Sequence, residues 1–326
     1  MLSWTSPLGG NWKSNRVGTH DFPPSENPGE KPAGIALALG GGAARGWAHI
    51  GILKAFDEAE IPIDMIAGTS IGALVGGCYL AGKLPELEEF ALSLTKRRIF
   101  GLLDFNFSGS GLLAGMRLTT RMREHLEGLT IEDLPKPFVC VAAELRTGHE
   151  VWLHSGSLIT AIRASYALPG VFSPVVCNGR VLVDGALVNP VPVSVCRAYE
   201  QRVVVAVNLN NHILGRAAVI RHSADMTETS EKDSGSLRPP LVMDRGPNLP
   251  EKPIGLLGVM IESFNIIQDR ISRARLAGDP PDLTLQLKLG NLGLAEFHRA
   301  AEAIEIGYQT GKVHAQEIKE ILKLLA

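Results

Sequence analysis

In the stretch GTSIG, Gly68 to Gly72, a serine stands two residues from a glycine on either side. A serine hydroxyl becomes a nucleophile once a base takes its proton, and G-x-S-x-G is the turn that lifts such an Oγ above the end of a strand. The apolar run 61–67 precedes it and another, 71–80, follows, so strand, turn and helix are the expected context. An ordinary strand-to-helix turn would also use these glycines.

Attack on an acyl carbon needs donors for the developing oxyanion. The run GGGAARGWAHIG, Gly40 to Gly51, follows the apolar segment Ile35–Leu39. Its glycines allow N–H groups to converge, and the helix that begins after them adds its positive end. This is an anion cradle, suited to an oxyanion or to a phosphate. A dinucleotide loop of the form G-x-G-x-x-G needs Gly or Ala at position 45, where Arg45 stands. No Walker lysine followed by Ser or Thr is present in the loop. A tight turn with no ligand is the plain alternative.

For the base, nine histidines are available. Only His212, just past the segment Val203–Leu209, stands where a hydrolase histidine would serve; an ordinary polar residue at a strand end fits it as well. The second candidate lies in VLVDGALVNPVPV, Val181 to Val193. A strand carries Asp184 to its tip, Gly185 permits a sharp turn, and Pro192 opens a helix. A carboxylate ending an apolar strand is costly unless it is paired or used, although a turn-capping aspartate is the common case.

These residues need elements to hold them. Apolar runs at Ile35–Leu39, Ile63–Ala67, Phe138–Ala143, Val203–Leu209 and Leu283–Leu289 read as buried strands. Helical periodicity marks Trp47–Ala59, Ile71–Ala81, Pro85–Thr95, Thr119–Leu126, Leu158–Ala167, Val191–Tyr199, Ile254–Leu276 and Leu294–Leu322. Alternation of the two predicts an α/β sheet covered on both faces, with its site where strands end and helices begin. Met65 to Gly82 carries no charge and mimics a membrane span, but its glycines and Thr69-Ser70 fit strand, turn and buried helix better. Residues 1–32 and about 216–253 are polar, rich in Pro, Gly and Ser, and read as disordered segment and flexible loop.

A chain of 326 residues, 45% hydrophobic, can bury a substantial core, and a formal net charge of −2 offers no attraction to nucleic acid. The N-terminal stretch has no apolar core of a secretory signal. Cys78, Cys140, Cys177 and Cys196 lack paired spacing and read as buried thiols of a cytosolic protein, with no metal site.

A glycine cradle, an elbow serine and a strand-end aspartate, in this order, resemble the patatin-like phospholipases, in particular bacterial members similar to the neuropathy target esterase catalytic domain. The likeness rests on LALGGGAARGWAHIGILKAF, IAGTSIGALVGGCYLAG, IRASYALPGVFSPV and LVDGALVNPVPVS, spread over residues 35–195. The resemblance implies a three-layer α/β/α fold with a mostly parallel central sheet, filling residues 33–326. It implies a Ser–Asp dyad without histidine that hydrolyses acyl esters of lipids and uses no cofactor. Ser70 would be the nucleophile and Asp184 the base, with oxyanion donors among Gly40, Gly41, Gly42 and Ala43. Gly68, Gly72 and Gly185 would support the two turns, and Arg45 would fix the loop. Ala43 stands where many relatives carry a fourth glycine, which argues against a left-handed backbone there.

Two apolar stretches bear on substrate. Residues 97–118 concentrate Phe100, Phe105 and Phe107, the sign of an acyl-chain site or lid, or of a loop folded onto the core. Residues 254–267 suit a core helix, or contact with the inner face of a membrane. A His212-dependent hydrolase and an anion- or nucleotide-binding regulatory module are the competing classes.

Overall fold

The structure is a computed structural model and describes residues 34–95, 116–210 and 256–325. The expected segment 1–32, loop 216–253, residues 97–115 and His212 lie outside the described residues. β1 (Ile35–Leu39) alternates large and small apolar side chains, IALAL, and both sets are buried. Ile35, Leu37 and Leu39 face the larger core with Trp47, Ile52 and Leu74. Ala36 and Ala38 face a second core with Val193, Val195 and Cys196. A strand buried on both faces is the mark of a sheet between two helical layers.

α1 (Ala48–Glu58), β2 (Ile63–Thr69), α2 (Ile71–Leu80), α3 (Leu84–Leu92) and α4 (Met116–Leu126) follow in order. Then come β3 (Phe138–Glu144), β4 (Glu150–Leu153), α5 (Leu158–Ser165), β5 (Val175–Cys177), β6 (Arg180–Asp184), α6 (Val193–Ala198) and β7 (Val204–Asn208). α7 (Leu256–Gly278), β8 (Leu283–Gln286) and α8 (Ala300–Lys323) close the chain. The strands form one eight-stranded sheet in the order β5-β6-β3-β2-β1-β7-β8, with β4 paired to β3. β1, β2, β3, β7 and β8 run parallel. β4, β5 and β6 enter by antiparallel pairings. The three-layer α/β/α architecture and the mostly parallel sheet are thus present, with an antiparallel edge.

The span-like stretch Met65 to Gly82 is β2, a turn and α2, and among the described residues no helix is long and apolar enough to cross a membrane. The expected helix from Trp47 starts one residue later, because a 3-10 turn, Ala43–Trp47, carries the chain out of the cradle. α8 likewise begins at Ala300 after a 3-10 turn, not at Leu294. The expected strand ending at Asp184 is β6, and it pairs with β5 in a hairpin that the sequence did not lead us to expect. Its turn is Asn178-Gly179, with φ of 48° and 75°, the pair that suits a two-residue hairpin. Of the thiols, Cys177 is only half-buried, since it ends this hairpin strand; the other three are buried.

α1 and α8 pack at glycine contacts. A Cβ on Gly51 would fall on the Ile304 carbonyl oxygen, and one on Gly307 would fall on that of Ala48. Backbone rather than side chain stands in the way, so neither helix can yield locally. Gly307→Ala is therefore expected to lower the urea midpoint, by about 1–3 kcal/mol of stability, despite alanine's better helix propensity. A raised midpoint would contradict this close packing.

Candidate active site

The elbow turns at Ser70, whose φ of 57° and ψ of −124° are unusual for a residue with a side chain. Its flanking glycines are required by proximity. A Cβ at Gly72 would fall on the Leu39 carbonyl oxygen, and one at Gly68 would come 2.5 Å from the Ala73 Cα. The turn is held by Ser165 on α5. The Ser70 N–H donates to Ser165 Oγ at 2.9 Å, and that hydroxyl donates to the Val141 carbonyl at 2.6 Å.

Asp184 reaches the serine from an antiparallel strand. Thr69 pairs with Val141, and the next residue of β3, Ala142, pairs with Asp184. The ends of β2 and β6 therefore meet at one level on opposite sides of β3, with the carboxylate arriving from the opposite direction to the parallel strands. Ser70 Oγ donates to Asp184 Oδ2 at 2.7 Å, and the Ala186 N–H donates to Oδ1 at 2.8 Å. Turn-capping and serine contact are thus served by one carboxyl group. Asp184 is 1% exposed, and burial raises its pKa from 3.8 to about 7, partly opposed by the hydrogen bonds from Ser70 and Ala186. Ser70, at 8%, is also buried.

Two of the four candidate oxyanion donors are committed elsewhere. The Gly40 N–H donates to the Val207 carbonyl at 3.1 Å, and the Gly41 N–H to that of Pro190 at 2.9 Å. Among the described residues, the N–H groups of Gly42 and Ala43 make no hydrogen bond. Ala43 has a φ of 48°, so the left-handed backbone that alanine argued against is adopted. The compensating bonds lie around it: the Ala44 N–H donates to the Leu294 carbonyl at 3.1 Å, and Arg45 Nε to that of Leu292 at 2.8 Å. Arg45 fixes the loop through this carbonyl contact.

The sequence reading missed several residues that hold these parts. His49 is fully buried, and its Nε2–H donates to the Gly40 carbonyl at 2.8 Å. Burial lowers its pKa to about 4, against the raising effect of that bond, so it braces the cradle as a neutral imidazole. Asn189 and Pro190, after the Asp184 turn, accept from both other loops: Thr69 Oγ1 donates to the Asn189 carbonyl at 2.8 Å, beside the Gly41 contact. Asn189 Nδ2 in turn donates to Glu150 Oε1 at 2.7 Å, and Arg275 of α7 pairs with Glu150 Oε2 at 2.9 Å. The NP dipeptide inside VLVDGALVNPVPV was a visible turn signal; its partners were not.

α7 departs from the expected core helix. Ile266 and Ile267 are exposed, whereas Asn265, Gln268, Asp269 and Ser272 are buried. The helix lies against the turn Gly185–Leu187, and its polar stripe faces inward. An apolar cleft lined by Cys78, Leu87, Phe90, Met122 and Leu126 lies elsewhere, beside α2, α3 and α4, and does not include Ser70. Among the described residues, no cluster of three His, Cys, Asp or Glu side chains is placed to hold a metal ion.

A carboxylate hydrogen-bonded to an elbow serine, with two unbonded N–H groups in the adjoining glycine cradle, is an arrangement that could support acyl transfer. The family model for patatin-like phospholipase matches residues 37–197, which run from β1 through the cradle, the elbow and Asp184. The chain is 34% identical over 319 residues to an uncharacterised NTE family protein of Mycobacterium tuberculosis, covering 84% of this chain and 89% of that one. It is 33% identical to the human patatin-like phospholipase domain-containing protein 6, over 54% of this chain and 13% of that protein. Lysophospholipase NTE1 of Mycosarcoma maydis is 35% identical over 54% of this chain and 10% of its own length. The chain belongs to the patatin-like phospholipase family.

The raised Asp184 pKa has two consequences. If this carboxylate must be ionised to take a proton, kcat/KM should climb as pH rises towards about 7 and level off above it. Between about pH 4 and 7 the folded protein keeps a proton that the unfolded chain has released, so stability should fall across that window as pH rises. Asp184→Asn should abolish that part of the slope, read by denaturant titration at several pH values. An unchanged slope would place the proton elsewhere.

Proposed function

We propose that the protein is a serine lipid acyl hydrolase, acting on phospholipids, lysophospholipids or similar acyl esters through an acyl-enzyme. The observation that carries this is the 2.7 Å bond from Ser70 Oγ to the buried Asp184 carboxylate, within an elbow turn. The names of the relatives, phospholipase and lysophospholipase, support the lipid ester as substrate class.

In this reading Ser70 Oγ attacks the acyl carbon as Asp184 Oδ2 takes its proton. Direct contact replaces the histidine relay, and a pKa near 7 makes this carboxylate a better base than an exposed one. The N–H groups of Gly42 and Ala43 receive the oxyanion, at about 3–4 kcal/mol of transition-state stabilisation for each donor. The alcohol departs with the proton held by Asp184. Water then attacks the ester carbon of acylated Ser70, gives its proton to Asp184, and the fatty acid leaves as Oγ is reprotonated. Ser165, His49 and Arg45 hold the serine and the donors without touching substrate.

The test is a pair of substitutions assayed on a short p-nitrophenyl ester, with circular dichroism to confirm folding. Ser70→Ala and Asp184→Asn should each lower kcat by about a thousandfold or more, because an amide cannot accept the proton. More than a few percent of activity in either variant would remove that residue from the mechanism. His212→Ala should stay within about tenfold of wild type on the same ester. Its collapse beside an active Asp184→Asn would favour a histidine base instead.

A further inference from the structure

The inward polar stripe of α7 brings an amide donor to the edge of the candidate active site. Gln268 is 3% exposed. Its Oε1 accepts from Asn210 Nδ2 over a long 3.5 Å, and among the described residues its Nε2 makes no hydrogen bond. That nitrogen lies 3.7 Å from the point where a Cβ on Gly41 would project, and the same point is 3.4 Å from the Ser70 Cβ. Gln268 Nε2 and Ser70 therefore border one space beside the cradle. Asn210, 2% exposed at the end of β7, leaves its Oδ1 buried and unpartnered.

Asn210 Oδ1 has lost water without gaining a hydrogen bond, which a folded protein tolerates where a ligand completes the set, and Gln268 Nε2 is a donor left free beside it. The pair offers one donor, Gln268 Nε2, and one acceptor, Asn210 Oδ1. That complement is the same for either orientation of the two amides. Reversing both would turn the mutual bond round and still leave one donor and one acceptor. A carbonyl would use only the donor, and a cation only the acceptor. A phosphate would have to be buried beside neutral amides and near the Asp184 carboxylate, at a desolvation cost nothing here offsets. An alcohol hydroxyl donates and accepts at once and carries no charge.

We propose that the Asn210–Gln268 pair is a specificity determinant that hydrogen-bonds a free hydroxyl of the substrate, on the carbon next to the esterified one. This rests on the serine hydrolase reading and assigns a recognition role to a side chain outside the matched family segment.

The experiment compares two esters of equal acyl length: monodecanoylglycerol, and the decanoyl ester of propanediol lacking the middle hydroxyl. The quantity read is the ratio of their kcat/KM values, which cancels any general loss of activity. Wild type should prefer the hydroxyl-bearing ester by about tenfold or more, and Gln268→Leu should bring the ratio towards unity. Gln268→Glu, which keeps an acceptor but loses the donor, should also lose most of the preference. A wild type without preference, or a preference that survives in Gln268→Leu, would overturn the assignment. A second readout is calorimetric binding of the two corresponding decyl ethers, which cannot be hydrolysed. Were wild type to cleave neither ester, the hydrolase reading would fall. The ether pair would still decide the hydroxyl contact: tighter binding of the glycerol ether to wild type but not to Gln268→Leu would uphold it, and equal binding would end it.

Discussion

A carboxylic acid buried among apolar strands, with its two oxygens divided between a serine hydroxyl and one backbone N–H, is the constraint around which this molecule is arranged. Asp184 carries no cation partner among the causes that set its pKa; burial dominates, and two hydrogen bonds oppose it. A charge in that position is costly, so its surroundings must be fixed by something other than the charge. The fixing is done by register. β6 runs antiparallel to β3, which places Asp184 beside the level at which β2 gives way to Ser70. A slip of one residue would turn the carboxylate to the other face of the sheet.

The loops around this pair are tied to one another more than to their own elements. The Asn189-Pro190 segment accepts from Thr69 before the elbow and from Gly41 in the cradle, so the elbow, the cradle and the aspartate turn share a single knot. Glu150 extends it through Asn189 on one oxygen and Arg275 on the other, which joins the turn to α7. Strain is accepted at both loops: Ala43 and Ser70 adopt positive φ, Ala43 held by bonds on Ala44 and Arg45, and Ser70 by its own N–H bond to Ser165 Oγ. Backbone of this kind persists only when its surroundings over-determine it.

What was legible in the sequence was the chemistry and the order of elements. Ser70, Asp184 and the glycine run announce themselves by residue type within short stretches, and the parallel strands by unbroken apolar runs. The supporting residues could not be read in the same way, because their meaning lies in pairings such as Ser70 with Ser165, 95 positions apart, or Arg275 with Glu150, 125 apart. Nor does periodicity say which side of a helix faces inward. The stripe Asn265, Gln268, Ser272 looks like a solvated face in sequence and is buried in the fold. The Asn178-Gly179 hairpin is a different case, since that dipeptide is a local signal for two short strands. Ala43 shows the limit of residue preference, as tertiary bonds impose a conformation that its type disfavours.

The central claim is that Ser70 is a nucleophile made reactive by Asp184 alone. A fluorophosphonate reports this directly, because it phosphonylates an activated serine and the adduct can be located by mass spectrometry of the digested protein. The account predicts one adduct on the peptide containing Ser70, formed faster as pH rises towards about 7 and suppressed in folded Asp184→Asn. An adduct on another residue, or unabated labelling of Ser70 in Asp184→Asn, would contradict it.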